Sequence, residues 1–413
     1  MKRLFGAALA ALCLAAPIAA QGPTLKREAP PVAAALGEPQ AKTWQAWREQ
    51  YLRALSMIRK PVGDIVEPEL GADFTKVPAS IPTNQPIAPL LSTGWPPAVS
   101  GKPDTVGAFR FLCAPGQVSR DDPIVFPNQP GKSHLHQWFG NLSADASSTY
   151  ESLRTKGDST CVNILNRSAY WMPAMLNGKG MVVRPDYVSI YYKHFPAGSA
   201  DCASVAAKGC TSLPRGLRMI FGYDMQFGTP ATGSGYFNCD GPTARSGHYA
   251  TITEAAKNCP AGNRLGAIIN APQCWDGKRL DSPNHRDHVG YAIWRNLPDG
   301  RSAYSCDPAH PYAIPGFTMG AWYSIESGED AADWYLSSDE MPGMARMTPG
   351  STFHADWFGA WDDDIMAVWM RNCIDKLLSC NSGDLGDGRG LKQTGDWSFK
   401  TANRLVPIPA LPQ

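Results

Sequence analysis

Five of the eight histidines of this sequence fall in three short motifs, which also carry the polar groups best suited to chemistry. Residues two apart on a strand, or three apart on a helical turn, present their side chains on one face. Three such pairs, far apart in the chain, therefore predict one converging site. The pairs are His134 with His136, His285 with His288, and His354 with Asp356.

Acid–base cleavage of a glycosidic bond is the chemistry that these motifs favour. It needs one carboxylic acid to protonate the leaving oxygen and a second carboxylate to activate water or attack the sugar. We predict Asp356 and Asp281 as this pair, with Asp122 in reserve, because Asp356 lies between aromatic residues whose burial would raise its pKa. His136, His288 and His354 complete the predicted catalytic set by orienting the carboxylates.

Residues around the same motifs suggest how a sugar chain would be held. Flat aromatic rings stack on sugars, and cationic groups bind uronate carboxylates. The predicted substrate-binding residues are His134, His285, Arg286, Trp138, Trp275, Trp357 and Lys132. These residues together would suit a cleft that binds a sugar chain.

Three alternatives remain open at this stage. A lyase acting on uronic acids would use His288, Arg286 and Tyr291 as acid, base and charge-neutralising groups. A metalloprotein would use imidazoles from a set of four histidines, His134, His136, His288 and His354. A non-catalytic carbohydrate-binding protein would retain only the binding surface. We assign no metal ligand and no cofactor from the sequence, although zinc, copper and calcium stay open.

Each motif also has a purely structural interpretation. The histidines could hold loops through backbone hydrogen bonds, and the sequence Asp121-Asp122-Pro123 is typical of a turn. Asp362, Asp363 and Asp364 precede an amphipathic segment and are predicted to cap a helix, so we leave them out of the catalytic set.

Composition excludes several other classes. The net charge is +1 and only 18% of residues are charged, so the chain lacks the basic footprint of a nucleic-acid-binding protein. A nucleophile elbow, a P-loop and a dinucleotide-binding fingerprint are absent. The predicted partner is a polysaccharide, and the oligomeric state is not specified by the sequence.

The amino terminus predicts export. Residues 1–20 have a basic start, a short apolar run and a small-residue cleavage site, as in a signal peptide, and no later run is long enough to span a bilayer. Ten cysteines remain after the one in this segment, an even number that favours disulfides in an extracellular or periplasmic protein. The short spacings of Cys202 with Cys210, and of Cys373 with Cys380, suggest local bridges.

The pattern of elements predicts a mainly β protein, a β-sandwich or jelly-roll-like domain with loop insertions and a few helices. Residues 21–106 would hold a helix at 43–59 and a proline-rich connector at 68–103, and the catalytic domain would span 107–413. Predicted strands and one late helix, 364–378, lie in this domain. The strands are 109–112, 183–192, 216–223, 266–270 and 317–322.

Several segments together resemble a domain family of unknown function, DUF1996. The resemblance covers about residues 107–392 and rests on segments 122–125, 131–141, 166–173, 274–288, 310–312 and 353–364. Such domains occur in secreted proteins of fungi and bacteria, and some fungal members are linked to endo-hydrolysis of an acidic capsule polysaccharide with a mannan backbone. The resemblance therefore implies a glycoside hydrolase that cleaves a polysaccharide within its chain, with acidic polysaccharides among the candidates, and it assigns no residue roles.

Overall fold

The computed structural model describes residues 77–100, 105–225, 228, 234–296, 302–341, 343, 345–394 and 400–410. The predicted signal peptide, the segment 21–40 and the predicted helix 43–59 lie outside these ranges. Among the described residues, no helix is long and apolar enough to cross a membrane.

Strands dominate the described residues, which confirms the predicted mainly β fold. In chain order they are β1 (Leu91–Thr93), β2 (Val99–Ser100), β3 (Gly107–Cys113), β4 (Pro115–Ser119), β5 (His136–Gly140), β6 (Ala169–Pro173), β7 (Met175–Leu176), β8 (Met181–Val183), β9 (Tyr187–His194), β10 (Arg218–Gly222), β11 (Gly235–Asp240), β12 (Arg264–Asn270), β13 (Cys274–Trp275), β14 (Val289–Gly290), β15 (Ile293–Asn296), β16 (Ser302–Ser305), β17 (Tyr312–Ala313), β18 (Gly316–Ser324), β19 (Tyr335–Leu336), β20 (His354–Phe358), β21 (Leu378–Cys380), β22 (Arg389–Leu391) and β23 (Leu405–Pro407).

The helices are short and connect or flank the strands. They are α1 (Tyr150–Thr155), α2 (Ala200–Val205), α3 (Ile252–Ala256) and α4 (Asp363–Trp369), with 3₁₀ turns at Ala88–Leu90 and Ala331–Asp333 and a π-helical turn at Met370–Ile374.

Two large sheets form a sandwich. One has seven strands in the order β11-β12-β18-β9-β3-β21-β2, and the other has five in the order β10-β20-β6-β5-β4. Their facing sides share one apolar core. Phe317 of the larger sheet contacts Trp357 of the smaller, with ring centroids 5.4 Å apart, and the hydroxyl groups of Tyr170 and Tyr192 form a 3.0 Å hydrogen bond between the sheets. The predicted sandwich is confirmed.

The three central strands of the five-stranded sheet are buried on both faces. All five residues of β5, β6 and β20 are buried, although residues of a sandwich strand usually alternate between core and solvent. A second apolar cluster, which includes Ile124, Val125 and Leu153, covers the face turned away from the core. Polar side chains on this outer face are therefore enclosed by protein.

The predicted strands are observed with small shifts, except for one. The segment predicted as a single strand at 183–192 is divided between β8 and β9. Pro185 lies between them and has no N–H group to donate to a neighbouring strand, so pairing stops there.

The late helix begins as predicted and ends earlier. The side chain of Asp362 accepts a hydrogen bond from the Ile365 N–H group, as an N-cap should. The α-helix gives way to the π-helical turn at Met370, and Leu377 adopts a left-handed backbone with φ of 54°. The stripe formed by Met366, Trp369 and Cys373 is buried.

The described part of the proline-rich connector lies against the sandwich and is held by arginines. Arg154 donates to the carbonyl of Ile81 at 2.8 Å, and Arg215 donates to the carbonyl of Pro78 at 2.6 Å. The Arg154 guanidinium also forms a buried ion pair with Asp362 at 3.0 Å. Because that guanidinium is shared, the connector is tied to the start of α4.

All ten cysteines after residue 13 are paired, and both predicted local bridges are confirmed. The bridges join Cys113 to Cys161, Cys202 to Cys210, Cys239 to Cys259, Cys274 to Cys306, and Cys373 to Cys380.

Each bridge should contribute more to the free energy of unfolding the longer the segment of chain that it closes. Replacing both Cys113 and Cys161 by Ala should lower the free energy of unfolding by about 4 kcal/mol, against about 2 kcal/mol for Cys373 and Cys380. The sequence separations are 48 and 7, and all four cysteines are buried, so the cavity contributions are matched. Urea unfolding measures the difference, and equal losses would contradict the entropic origin.

Candidate functional site

The outer face of the five-stranded sheet carries the first and third histidine motifs. Asp356 of β20 lies opposite Trp171 of β6, which lies opposite Trp138 of β5. Because side chains alternate along a strand, His354 shares the face of Asp356, and His136 shares that of Trp138. Two motifs more than 200 residues apart therefore meet on adjacent rows of one sheet.

His134, His136 and His354 form a compact cluster, called here the histidine cluster. The ring centroid of His134 lies 4.1 Å from that of His136 and 5.1 Å from that of His354, and the Nε2 atoms of His134 and His354 are 3.1 Å apart. One ring nitrogen from each histidine lies within 4.8 Å of the other two. His136 and His354 are buried, and His134 is half-buried.

The Nδ1 side of each ring in the cluster is fixed by a neighbouring oxygen. His136 Nδ1 is 3.0 Å from the Asp121 carbonyl, and His354 Nδ1 is 2.8 Å from the Thr352 carbonyl. His134 Nδ1 lies 3.3 Å from the Leu135 carbonyl and 3.2 Å from the Ser337 hydroxyl. By contrast, the Nε2 atom of His136 is buried without a hydrogen-bond partner among the described residues.

Burial keeps these imidazoles neutral. It lowers the pKa of His134 to about 4 and holds the pKa values of His136 and His354 well below the ordinary value, because a charged ring would lose its hydration. The cluster therefore offers nitrogen lone pairs at neutral pH.

Two buried carboxyl groups lie on the same face, and we call them the carboxyl pair. Asp356 is 1% exposed, and its Oδ2 atom has no hydrogen-bond partner among the described residues. Burial raises its pKa well above the ordinary value, and the charge of Asp122 raises it further. Asp122 is 3% exposed, and burial raises its pKa to about 6.

Asp122 has the turn role considered for it from the sequence, and its catalytic role stays a prediction. Its Oδ1 atom accepts hydrogen bonds from the N–H groups of Ile124 and Val125 at 2.9 and 2.8 Å, so it does stabilise a turn. That turn also places its charge beside Asp356. The structure thus pairs Asp356 with the reserve candidate.

Asp281 has a different environment from the one expected of an acid partner. It forms an ion pair with Arg218 at 2.7 Å and a hydrogen bond to His285 Nδ1 at 2.9 Å. Burial opposes ionisation, but the charges and hydrogen bonds of His285 and Arg218 hold the pKa of Asp281 below its ordinary value. It is therefore a fixed anion that orients His285, and the geometry does not favour it as a proton donor.

His285 and Arg286 bring the second motif to the same face. The carbonyl of His285 accepts from the N–H group of Ile220, the residue opposite Asp356 on β10, and its backbone is left-handed with φ of 58°. Arg286 donates to the carbonyls of Gly222 and Tyr223 at 3.2 and 2.8 Å. Its charge acts on both Asp356 and His354.

His288 does not reach the carboxyl pair through a free nitrogen. Its Nδ1 atom is 2.9 Å from the Ser282 hydroxyl, and its Nε2 atom is 2.8 Å from the Arg218 carbonyl. Tyr291, the other proton-transfer candidate for a lyase, donates to the Asn270 carbonyl at 2.8 Å. Both residues hold the loop in place, so the predicted catalytic role of His288 does not fit its position.

The three tryptophans predicted to stack on sugars are buried. Trp138 stacks on Trp171 with centroids 4.5 Å apart, Trp275 donates to the Arg279 carbonyl at 2.6 Å, and Trp357 packs in the core between the sheets. None presents a ring face to solvent, so a stacking role does not fit this structure. Lys132 is exposed, as a substrate-binding cation would be.

Several residues near the site carried no sequence signal. Ser337 contacts His134 from 203 positions away, and Arg120 places a positive charge near His134 and His136. Trp171 lies in a segment used for the family resemblance, without a predicted role. No short motif links these residues to the histidines, since only the strand register brings them together.

A family model for a domain of unknown function, DUF1996, matches residues 122–361. The match covers more than half of the chain. This chain belongs to the DUF1996 family. Every residue of the histidine cluster and of the carboxyl pair lies within the matched part of this DUF1996 protein. No curated protein and no solved structure matches it.

Replacing Asp281 by Asn should destabilise this DUF1996 protein in a pH-dependent way. At pH 7 the free energy of unfolding should fall by about 2 kcal/mol, because Arg218 and His285 lose a charged partner. The lowered pKa of Asp281 contributes stability above the ordinary carboxyl pKa of about 3.9, and that contribution is lost as the pH falls through the folded value.

Urea unfolding at pH 7 and pH 3 measures this difference. The difference in the free energy of unfolding between the original protein and Asp281→Asn should be smaller at pH 3 than at pH 7. Asp287→Asn, which changes an exposed carboxylate of the same loop, is the matched control and should change neither value. A gap that is constant across this range would contradict the ion-pair explanation.

Proposed function

We propose that this DUF1996 protein is an exported enzyme that hydrolyses a polysaccharide within its chain, with the carboxyl pair as its reacting groups. The observation that carries the proposal is the position of Asp122 and Asp356 on one enclosed face, with the Oδ2 atom of Asp356 unpaired. Two neighbouring carboxyl groups are the usual requirement for hydrolysis of a glycosidic bond. A buried polar atom without a partner is rarely retained for stability alone.

In this mechanism Asp356 donates the proton to the glycosidic oxygen, because its Oδ2 atom has no competing hydrogen-bond partner among the described residues. Asp122 is the second carboxylate, held by the N–H groups of Ile124 and Val125. Those hydrogen bonds fix its orientation before substrate arrives, as catalysis by positioned groups requires. His285, held by Asp281, lies close enough for its charge to act on Asp122.

Cationic residues around the carboxyl pair favour an acidic substrate. The charge of Arg286 acts on Asp356, that of Arg120 acts on the histidine cluster of the same sheet face, and Lys132, two residues before His134 in the chain, is exposed. Guanidinium groups bind carboxylates through paired hydrogen bonds. A polysaccharide that carries uronate groups is therefore the proposed substrate class.

Aromatic contacts to the sugar chain come from a different place than expected. The hairpin β15–β16 exposes Trp294 and Tyr304, each 62% exposed, with ring centroids 5.2 Å apart. It follows the loop of the second histidine motif by only a few residues. Exposed aromatic rings of this kind stack readily on sugars.

Asp356 is 1% exposed, so substrate can reach it only if neighbouring residues move, and the proposed moving part is the loop that carries Arg286, whose charge acts on Asp356. That loop is held in place by the hydrogen bonds from Arg286 to the carbonyls of Gly222 and Tyr223. A uronate group that attracted the Arg286 guanidinium would compete with those carbonyls. Loops that close over active sites commonly open in this way to admit substrate.

Export is part of the proposal and has two supports. The signal-like segment 1–20 is one, and the five disulfides are the other, since such bonds persist in oxidising compartments.

Replacing Asp356 or Asp122 by Asn should abolish most of the turnover. We expect the release of reducing ends from an acidic polysaccharide to fall by about 100-fold or more, since general acid–base groups contribute factors of this size. Asn has nearly the same shape, and at position 122 it keeps the oxygen that accepts the two N–H groups. Both variants should therefore fold, which thermal unfolding will show.

The assay uses a panel of neutral and uronate-containing polysaccharides with Asp287→Asn as the control for a carboxylate outside the pair. Full activity in Asp356→Asn would overturn the assignment of the acid. Ultraviolet absorbance from one new double bond for each new reducing end would indicate a lyase, since hydrolysis releases reducing ends without that absorbance. Glycan binding by the original protein without any turnover would indicate a binding module.

A further inference from the structure

We infer that His134, His136 and His354 bind one divalent transition-metal ion of the zinc type through their Nε2 atoms. The inference concerns the same face of the sheet as the proposed hydrolysis, but it follows from the positions of three imidazoles and does not require a polysaccharide substrate. The evidence for this inference is the nitrogen on which each of the three rings carries its proton.

Two of the rings have an unambiguous tautomer. The nearest partner of His354 Nδ1 is the Thr352 carbonyl at 2.8 Å, and that of His136 Nδ1 is the Asp121 carbonyl at 3.0 Å. A carbonyl oxygen only accepts hydrogen bonds, so each Nδ1 atom must carry the proton. The Nε2 atom of each neutral ring is then a bare lone pair.

The third ring has the same tautomer. His134 Nδ1 faces the Leu135 carbonyl and the Ser337 hydroxyl oxygen. The Ser337 hydroxyl donates its only proton to the Leu135 carbonyl and accepts from the Ala174 N–H group. Both neighbours of His134 Nδ1 are therefore acceptors, and the proton of His134 lies on Nδ1.

Three Nε2 lone pairs consequently face one another in an enclosed place. Those of His134 and His354 are 3.1 Å apart, and that of His136 has no hydrogen-bond donor among the described residues. A single proton could bridge two of these nitrogens and would leave the third unsatisfied. One cation satisfies all three, which is why the arrangement points to a metal ion.

The dimensions fit a small transition-metal ion. Zinc binds imidazole nitrogen at about 2.0–2.1 Å, so two ligands of a tetrahedral ion lie about 3.3 Å apart. The observed 3.1 Å between His134 and His354 agrees, and one nitrogen of each of the three rings lies within 4.8 Å of the other two. Metal-bound histidines also usually donate their other N–H group to a carbonyl or hydroxyl oxygen, as all three do here.

Some charged groups around the histidine cluster oppose a bound cation, and others favour it. Arg120 and Arg286 oppose a cation, since their charges act on His136 and His354 respectively. Asp122 lies on the same face, and its negative charge offsets them in part, whereas Asp356, which burial keeps protonated, adds no charge. Three neutral ligands leave the ion its full charge and a fourth position open to water, whose proton such an ion makes easier to remove.

Metal content and metal affinity of the full chain test the inference. After equilibration with zinc and removal of free metal, elemental analysis should find one zinc per chain, and cobalt in its place should give the visible absorption of a four-coordinate ion. In calorimetric titrations, His134→Gln and His136→Gln should each weaken zinc binding on the order of 100-fold or more. His310→Gln, outside the cluster, is the control and should bind as the original protein does.

Ser337→Ala provides a variant that leaves every ligand in place. It removes one acceptor from His134 Nδ1 and should weaken zinc binding on the order of tenfold. A folded original protein that takes up no zinc or cobalt would overturn the inference. So would zinc binding that survives both histidine substitutions, because the ion would then lie elsewhere.

The two proposals fail independently. Asp356→Asn should retain its zinc, since Asp356 is not one of the three ligands. Zinc binding without polysaccharide hydrolysis would leave the metal site standing and remove the proposed function. Hydrolysis that depends on the carboxyl pair in a protein that never binds metal would do the reverse.

Discussion

Burial of both faces of the three central strands of the five-stranded sheet is the constraint on which the rest of the site depends. A polar group enclosed by protein must find a partner inside the protein or lose the free energy of its hydration. Asp122 meets this requirement through two N–H groups, and Asp281 meets it through Arg218 and His285. The Nε2 atom of His136 and the Oδ2 atom of Asp356 do not. Buried polar atoms without hydrogen-bond partners are expected at sites where selection for function has been stronger than selection for stability.

The same constraint explains which site residues the sequence predicted well. Because His354 and Asp356 are two residues apart on one strand, their side chains could be predicted to share a face. The strand register then brings that face next to His136. The sequence could not show which side of the sheet is enclosed. Trp138, Trp275 and Trp357 were therefore expected to face a ligand, whereas each is buried against other rings or backbone.

Roles that depend on the partner of a side chain were also hidden. Asp281 and Asp122 look alike as sequence motifs, but Arg218 makes one a fixed anion while burial raises the pKa of the other to about 6. The partner, Arg218 of β10, precedes Asp281 by 63 residues, so no local pattern could reveal it. The two local disulfides, Cys202–Cys210 and Cys373–Cys380, and the helix cap at Asp362, by contrast, depend on neighbours in sequence and were predictable.

The arginines that hold the connector set a limit on how far the chain can be shortened from its amino terminus by a protease. Cleavage before residue 77 would leave the carbonyls of Pro78 and Ile81 in place as acceptors. Cleavage beyond Ile81 would expose a guanidinium that is 1% accessible and remove an acceptor from it. Because Arg154 also pairs with Asp362 at the start of α4, such trimming would loosen the segment that follows β20, the strand that carries His354 and Asp356.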